Sequence, residues 1–192
     1  MTTITFVRHG ITDHNVEGRA QGHTQNPLNE LGVRQAKLVG KRLAGQPFDV
    51  FLSSDLLRAR QTAEIISRET GLIIDAYDER LRERDRGQLS GTIVEDRIAC
   101  WGENWRRLKF GEESDEQLRL RGRLLIADLL DKYWNKHILA VTHSYFLGQL
   151  LKDLFADETT GNKLRNTSIT TIRQSGDSWI YIDYDCVEHL EA

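Results

Sequence analysis

The sequence predicts an α/β protein: a mainly parallel sheet covered by helices on both faces in three layers, with a C-terminal antiparallel edge hairpin and a small lid insertion. Three observations predict it. Short β-branched or apolar runs alternate with segments of helical period through most of the chain. Some of these runs are apolar without alternation, as strands buried on both faces are. The last two, Ser168 to Gln174 and Ser178 to Tyr184, flank Ser175-Gly176-Asp177 and read as a hairpin.

Thr3 to Val7 is short, β-branched and aromatic, a strand that ends at Arg8-His9 with Gly10 to turn the chain. Asn29 is a good N-cap for a helix whose Ala36, Val39 and Leu43 share one face until Gly45 and Pro47 stop it. Phe48 to Leu52 is a second strand, closed by Ser53-Ser54. Leu56, Ala59, Ala63 and Ile66 then continue at helical spacing to Gly71. Leu72 to Ala76 reads as a third strand, and the charged stretch from there to Gly91 has no period and reads as loop. Residues 92–112 set Trp101, Trp105 and Phe110 among Arg106, Arg107 and Lys109, helical material packed as a lid. Leu118, Gly122, Leu125 and Leu129 form a helical stripe, and His137 to Thr142 is a fourth strand of the buried type. Leu147, Leu151 and Leu154 mark the helix after it. The tail from Val187 is charged and reads as mobile.

With 192 residues, 39% hydrophobic and 29% charged, and only two prolines, the chain is expected to form one domain over 1–192. Collagen-like, disordered and disulfide-scaffold classes are excluded. Lys plus Arg is 26 against 29 for Asp plus Glu, so the net charge of −3 gives no field for nucleic acid or an anionic membrane. Any bound anion must be held by a local site. Cys100 and Cys186 fit no metal or redox spacing and read as buried reduced thiols. With no basic and apolar leader at the N-terminus and no run of about 18 apolar residues, a cytoplasmic protein is expected. His9, His14 and His23 are not spaced as metal ligands usually are, so no metal is expected.

Ligands of open α/β sheets bind beyond the carboxyl ends of the strands, so residues just past those ends can meet in one crevice. Arg8 and His9 follow the first strand, Arg58 opens the helix after the second, and His143 follows the fourth. Guanidinium forks and helix N-termini around one point make a site for a phosphoryl group.

Those residues belong to longer patterns. Phe6-Val7-Arg8-His9-Gly10-Ile11-Thr12 with Asn15, then Gln21-Gly22, Pro27-Leu28-Asn29-Glu30-Leu31-Gly32, Ser53 to Ala63, Leu81-Arg82-Glu83 with Gly87, and Val141-Thr142-His143 run in order from about residue 4 to 150. Together they resemble the motifs of the histidine phosphatase superfamily, the phosphoglycerate-mutase-like fold. The resemblance implies a phosphatase that hydrolyses a small phosphomonoester, with His9 as the nucleophile that becomes phosphohistidine. It further implies that Arg8, Arg58 and His143 bind the phosphoryl oxygens, that Glu83 donates and recovers the proton, and that Asn15, Gln21, Gly22 and Ser144 line the substrate site. No cofactor is implied, and the expected partner is a small phosphorylated metabolite, met by a monomer or homodimer. A histidine nitrogen, largely neutral near pH 7, suits such covalent catalysis, and fixed cations supply the charge that a metal supplies elsewhere.

The chain departs from the family's usual pattern at Ser144-Tyr145-Phe146, where a glycine is common after the second histidine, and at His14, Gln25 and Ser90. Asp85 is a rival to Glu83 as proton donor, and the position two residues after Leu81 favours Glu83. Two other functions fit the same residues. A phosphoglycerate mutase uses the same intermediate, but the mutases it resembles are longer between the acid loop and the second histidine. A catalytically idle phospho-ligand-binding module is the second alternative, and the complete set of Arg8, His9, Arg58, Glu83 and His143 speaks against it.

Overall fold

The computed structural model of the chain describes residues 1–161 and 163–191. In chain order its main elements are β1 (Thr3–Arg8), α1 (Asp13–Val16), α2 (Glu30–Leu43), β2 (Val50–Ser53), α3 (Leu57–Thr70) and β3 (Ala76–Tyr77). They continue with α4 (Val94–Trp101), α5 (Asp115–Lys132), β4 (His137–Thr142), α6 (Ser144–Phe155), β5 (Ile169–Ser175) and β6 (Ser178–Cys186). The six strands form one sheet in the order β3-β2-β4-β1-β5-β6. The first four are parallel, while β5 runs antiparallel to β1, and β6 to β5.

The helices sit where their apolar stripes send them. On one face, Leu118, Leu125 and Leu129 of α5 and Phe146 and Leu150 of α6 pack against Ile4, Phe6, Leu52 and Ala140 of the sheet. On the other, Val39 and Leu43 of α2 and Ala59, Ala63 and Ile66 of α3 pack against Val7, Phe51, Leu139 and Val141. Strand neighbours such as Phe6 and Val7 therefore face opposite layers, and each fully buried large side chain contributes roughly 1.5–3 kcal/mol. The expected three-layer α/β fold is what forms.

Helix ends are fixed by particular side chains. Asn29 accepts the Gly32 N–H at 2.9 Å to start α2. Ser114 and Gln117 form a reciprocal capping box on α5. Leu56, which precedes α3, offers no capping atom, and the Leu57 N–H goes instead to Gln25 Oε1 at 2.9 Å. Gly71 closes α3 in the left-handed region with φ of 77°.

The order of strands sets the place of the site. From β1 the chain passes to α2 on one face, and from adjacent β4 to α6 on the other, so the carboxyl ends of β1 and β4 border a crevice. The chain leaving β1 is held against α2 by two glycines. A β-carbon on Gly10 would lie 2.6 Å from the Gly32 carbonyl oxygen, and one on Gly32 would lie 2.1 Å from that of Ile11.

Several expectations are corrected. The third strand is only Ala76–Tyr77, because the Phe51 N–H is taken at 2.7 Å by the Asp75 carboxylate rather than by a strand carbonyl. Cys100 is exposed on the lid helix α4, whose inward positions are Ile98 and Trp101. Cys186 is half-buried where edge strand β6 ends, so neither thiol is buried as expected, although both are free. The tail is not loose up to residue 191: Glu188–Leu190 form a turn, Val187 and His189 are buried, and His189 Nε2 lies 3.4 Å from Thr167 Oγ1. Trp105, Phe110 and Leu89 form a small separate core with Ile98 and Trp101.

Gly32→Ala is expected to cost about 2–3 kcal/mol, since the obstructing atom is backbone and cannot rotate away. Chemical denaturation measures it, and an unchanged midpoint would show that the α2 contact yields easily.

Candidate active site

Arg8 ends β1, and the His9 N–H donates to the Thr142 carbonyl at 2.9 Å, extending the β1–β4 pairing by one residue. The loop after it is held from below, with the Gly10 N–H on Thr62 Oγ1 at 3.0 Å and the Ile11 N–H on Gln35 Oε1 at 3.0 Å. His143 follows β4 directly and precedes α6. The two imidazoles face each other with centroids 5.1 Å apart.

Both rings are buried, and His9 is only 2% exposed. Burial, with the charges of Arg58 and Arg8, pushes the His9 pKa well below the ordinary histidine range. His143 is pushed down likewise, by burial first and then by Arg58, His9 and Arg8. Both rings are therefore neutral near pH 7. His9 Nδ1 lies 2.7 Å from the Gly10 carbonyl oxygen, which can only accept, so Nδ1 carries the proton and Nε2 keeps its lone pair.

Arg58 is fully buried in the first turn of α3. Its two terminal nitrogens donate to the carbonyls of Thr24 at 3.0 Å and Gly22 at 2.9 Å. Burial lowers its pKa to about 10, still leaving it charged at neutral pH. Arg8 donates to the Leu164 carbonyl, and its pKa is lowered chiefly by burial. The Nε atoms of both arginines and His143 Nδ1 are buried and take no protein hydrogen bond.

Glu83 approaches from the acid loop. It feels both Arg8 and Arg58, and its carboxylate accepts the N–H groups of Arg84 (2.8 Å), Phe146 (3.0 Å) and Tyr145 (3.2 Å) at the start of α6. Behind it, Arg121 of α5 donates to the carbonyls of Arg80 at 2.7 Å and Arg82 at 2.9 Å and holds Glu113 at 2.8 Å. Asp85 points elsewhere: its carboxylate accepts the Gly87 N–H at 2.8 Å and lines a different cleft beside His23.

The remaining expected residues divide into two groups. Asn15 Oδ1 accepts from the Thr12 N–H at 3.2 Å and from Asn166 Nδ2 at 3.4 Å, and Asn15 Nδ2 makes no bond to a described residue. Ser144 opens α6 with its hydroxyl 3.3 Å from the Leu164 carbonyl. Gln21 and Gly22 stand behind the cluster, Gln21 accepting from Thr12 Oγ1 at 3.0 Å and Gly22 holding Arg58.

An imidazole with a free nitrogen lone pair, two guanidiniums, one of them fully buried, a second histidine and a carboxylate can together carry a phosphoryl group onto nitrogen and off again. Comparison with known proteins gives the arrangement its family. Residues 4–186 match the model of the histidine phosphatase superfamily, branch 1. The chain belongs to this superfamily. It is 34% identical over 195 residues to an uncharacterized phosphatase, PhoE, of Bacillus subtilis, covering 100% of this chain and 98% of that protein. It is 33% identical to a probable phosphoglycerate mutase, GpmB, of Salmonella choleraesuis, covering 100% and 96%. Among solved structures it resembles a mycobacterial glucosyl-3-phosphoglycerate phosphatase in complex with VO3, with a TM-score of 0.85, 26% identity, and 96% and 99% coverage. As a histidine phosphatase with phosphatase relatives in both sequence and structure, the protein is a phosphoric monoester hydrolase.

Residues that sequence reasoning missed also touch this cluster. Ser54 Oγ lies 2.9 Å from His143 Nε2, and Asn166 donates to the His9 carbonyl at 3.0 Å. Ser54 lay inside a quoted motif, whereas nothing local marked Asn166 or Arg121.

Acid should destabilise the fold through these rings. Unfolded histidines take up protons near pH 6.5, while His9 and His143 in the fold resist doing so, so the stability they leave intact above pH 6.5 is lost as pH falls below it. The expected slope is up to about 1.4 kcal/mol per pH unit for each ring. Denaturation in phosphate-free buffer from pH 7.5 to 5.5 measures it, and His143→Asn should remove one ring's share. A flat profile would contradict the buried neutral pair.

Proposed function

We propose that the protein hydrolyses a small phosphomonoester through a phosphohistidine at His9 Nε2, with Glu83 as the proton donor and acceptor. The observation that carries the reading is the neutral His9, its Nδ1–H tied to the Gly10 carbonyl, set beside the buried Arg58 and half-buried Arg8 guanidiniums. Nε2 attacks phosphorus as the bond to the leaving oxygen breaks, and Glu83 protonates that oxygen. In the second step Glu83 takes a proton from water, the water oxygen bonds to phosphorus, and the Nε2–P bond breaks to release phosphate.

The buried donors support the charge assignment. Arg8 Nε–H and Arg58 Nε–H have no protein acceptor, and dianionic phosphoryl oxygens would satisfy them. The Leu56 N–H points at Ser54 Oγ at 3.4 Å, leaving the Ser54 hydroxyl to donate to His143 Nε2 and His143 Nδ1 to carry a proton toward the same oxygens. The free Asn15 amide adds another donor. Gln21 and Gly22 serve by holding Thr12 and Arg58, and Ser144 stands at the mouth of the site.

In this reading the fixed cations do the charge neutralisation, so the reaction needs no metal. The whole chain acts as one domain with residues 92–112 as its lid, as a monomer or homodimer. Its two free thiols suit a reducing cytoplasm. Among the described residues no helix is long and apolar enough to cross a membrane. The names of its relatives support a substrate among small phosphorylated metabolites. Release of inorganic phosphate, measured against mutase turnover of phosphoglycerate, separates hydrolysis from the mutase alternative.

His9→Ala is expected to abolish turnover and the phosphoramidate seen by intact mass after rapid quench; retained turnover would overturn the assignment. EDTA should leave the rate unchanged, and inactivation reversed by a divalent ion would refute the metal-free mechanism. Glu83→Gln should slow alkyl phosphates by about 10²–10⁴-fold while sparing p-nitrophenyl phosphate, whose leaving group needs little protonation. Asp85→Asn should show no such dependence, and exchange of the two behaviours would make Asp85 the acid.

A further inference from the structure

His23 stands outside the phosphoryl site, yet the loop that carries it touches that site from two sides. Residues 22–24 present two carbonyls to the buried Arg58: Gly22 accepts from one terminal nitrogen at 2.9 Å and Thr24 from the other at 3.0 Å. The side chain of the residue between them reaches the acid loop. His23 Nε2 lies 2.8 Å from the backbone carbonyl oxygen of Glu83, which can only accept, so Nε2 carries the proton. Three consecutive residues thus join the guanidinium to the acid through two carbonyls and one imidazole.

The two loops are pressed together at the same point. Gly22 has a φ of +49°, and a β-carbon there would lie 2.8 Å from Ser90 Oγ and 3.0 Å from the Arg86 backbone nitrogen. A left-handed residue without a side chain is what lets the His23 loop come this close.

Glu83, which also lines a cleft of about 530 Å3 along α6, is fixed at both its ends. Its carboxylate accepts the N–H groups of Arg84, Tyr145 and Phe146. Its own carbonyl takes His23 at 2.8 Å and, more loosely, an Arg121 nitrogen at 3.4 Å, whose guanidinium makes its shorter carbonyl bonds to Arg80 and Arg82. His23 is therefore the close donor to the backbone of the acid itself.

No other task claims the ring. Nδ1 is 3.9 Å from the Asp85 carboxylate, beyond hydrogen-bond reach, and Asp85 accepts the Gly87 N–H instead. The arginines lining the cleft beside His23 are committed to carboxylates: Arg80 to Asp78 and Asp128, Arg82 to Asp55, and Arg121 to Glu113. With its side chain 34% exposed, His23 adds little to any core.

We propose that His23 is a positioning residue that sets the distance between the guanidinium gripping the phosphoryl group and the carboxyl protonating the leaving oxygen. The inference rests on the phosphohistidine reading, in which Arg58 binds phosphoryl oxygens and Glu83 is the acid. Proton transfer needs donor and acceptor within hydrogen-bond reach, and a displacement of about 1 Å can cost about 100-fold. Losing the His23 donor should weaken protonation of the leaving group and leave attack by His9 in place.

Benzyl phosphate and p-nitrophenyl phosphate test it, being of similar size but unequal in how much their leaving oxygens need a proton. Their kcat/KM values report formation of phosphohistidine whichever step limits kcat, and the ratio of the two within one preparation is independent of how much protein is folded. H23M keeps a side chain of similar length and loses the donor, while H23Q keeps an N–H. H23M is expected to lower the benzyl to p-nitrophenyl ratio by about tenfold to a hundredfold, and H23Q to retain most of it. In the E83Q background, where the acid is already gone, H23M should lower the ratio no further. An unchanged ratio in H23M, an equal fall in H23M and H23Q, or full additivity with E83Q overturns the proposal. If E83Q lowers the ratio and H23M does not, this inference alone falls. If E83Q leaves the ratio unchanged, or the wild type forms no phosphohistidine, the underlying reading falls and takes this one with it.

Discussion

A fully buried guanidinium, Arg58, and a half-buried one, Arg8, set beside two buried imidazoles are the constraint that organises this molecule. Charges taken out of water need partners, and a lone buried cation is strongly disfavoured. Here the nearest carboxylate, Glu83, makes no hydrogen bond to either arginine, so carbonyl oxygens do the work of partners. Arg58 takes those of Gly22 and Thr24, and Arg8 takes that of Leu164. Each carbonyl belongs to a loop with no regular ladder of its own, and these loops are ordered by the cations they serve. The imidazoles settle the same conflict differently, by staying neutral. A site with this balance repels further cations and welcomes an anion.

Delivering those carbonyls requires backbone segments to approach more closely than side chains allow. Gly10 on Gly32 and Gly148 on Gly161 are both backbone-to-backbone contacts. The first holds the His9 loop against α2, and the second holds the segment before Leu164 against α6. The acid loop is secured otherwise, through Arg121, whose guanidinium reaches two of the loop's carbonyls and lies over the Phe146 ring at 4.7 Å. The donors that orient the Glu83 carboxylate come from the first turn of α6, immediately after His143. One helix start therefore serves both the second histidine and the acid.

The sequence was most legible where local signals are strong and agree with each other. The buried strands β1 and β4, the capped stripe of α2 and the Ser-Gly-Asp hairpin all lie close to where periodicity puts them, because burial on defined faces leaves few registers. The gathering of Arg8, His9, Arg58 and His143 in one crevice was legible through strand ends and motif order. What escaped depends on contacts distant in sequence. Asp75 shortens β3 by bonding across to Phe51, His189 is buried through Thr167, and Asn166 reaches His9 across 157 residues. The role of Gln25 was equally hidden, since it caps a helix 32 residues away.

The crevice and the cleft beside it are built in different ways. The side chains of His9, Arg8 and Arg58 are held by backbone carbonyls fixed by strand pairing, glycine contacts and helix starts, so few substitutions can alter their supports without disturbing the fold. Along the cleft that opens at Glu83 the lining is mostly side-chain ends on α6 and the acid loop, and long side chains can be exchanged there at little cost in stability. Glu83 and Ser144 belong to both regions. A fold divided in this way can keep one phosphoryl chemistry while its leaving-group preference changes. Relatives with similar folds carry different substrate names, as a fold of this kind allows.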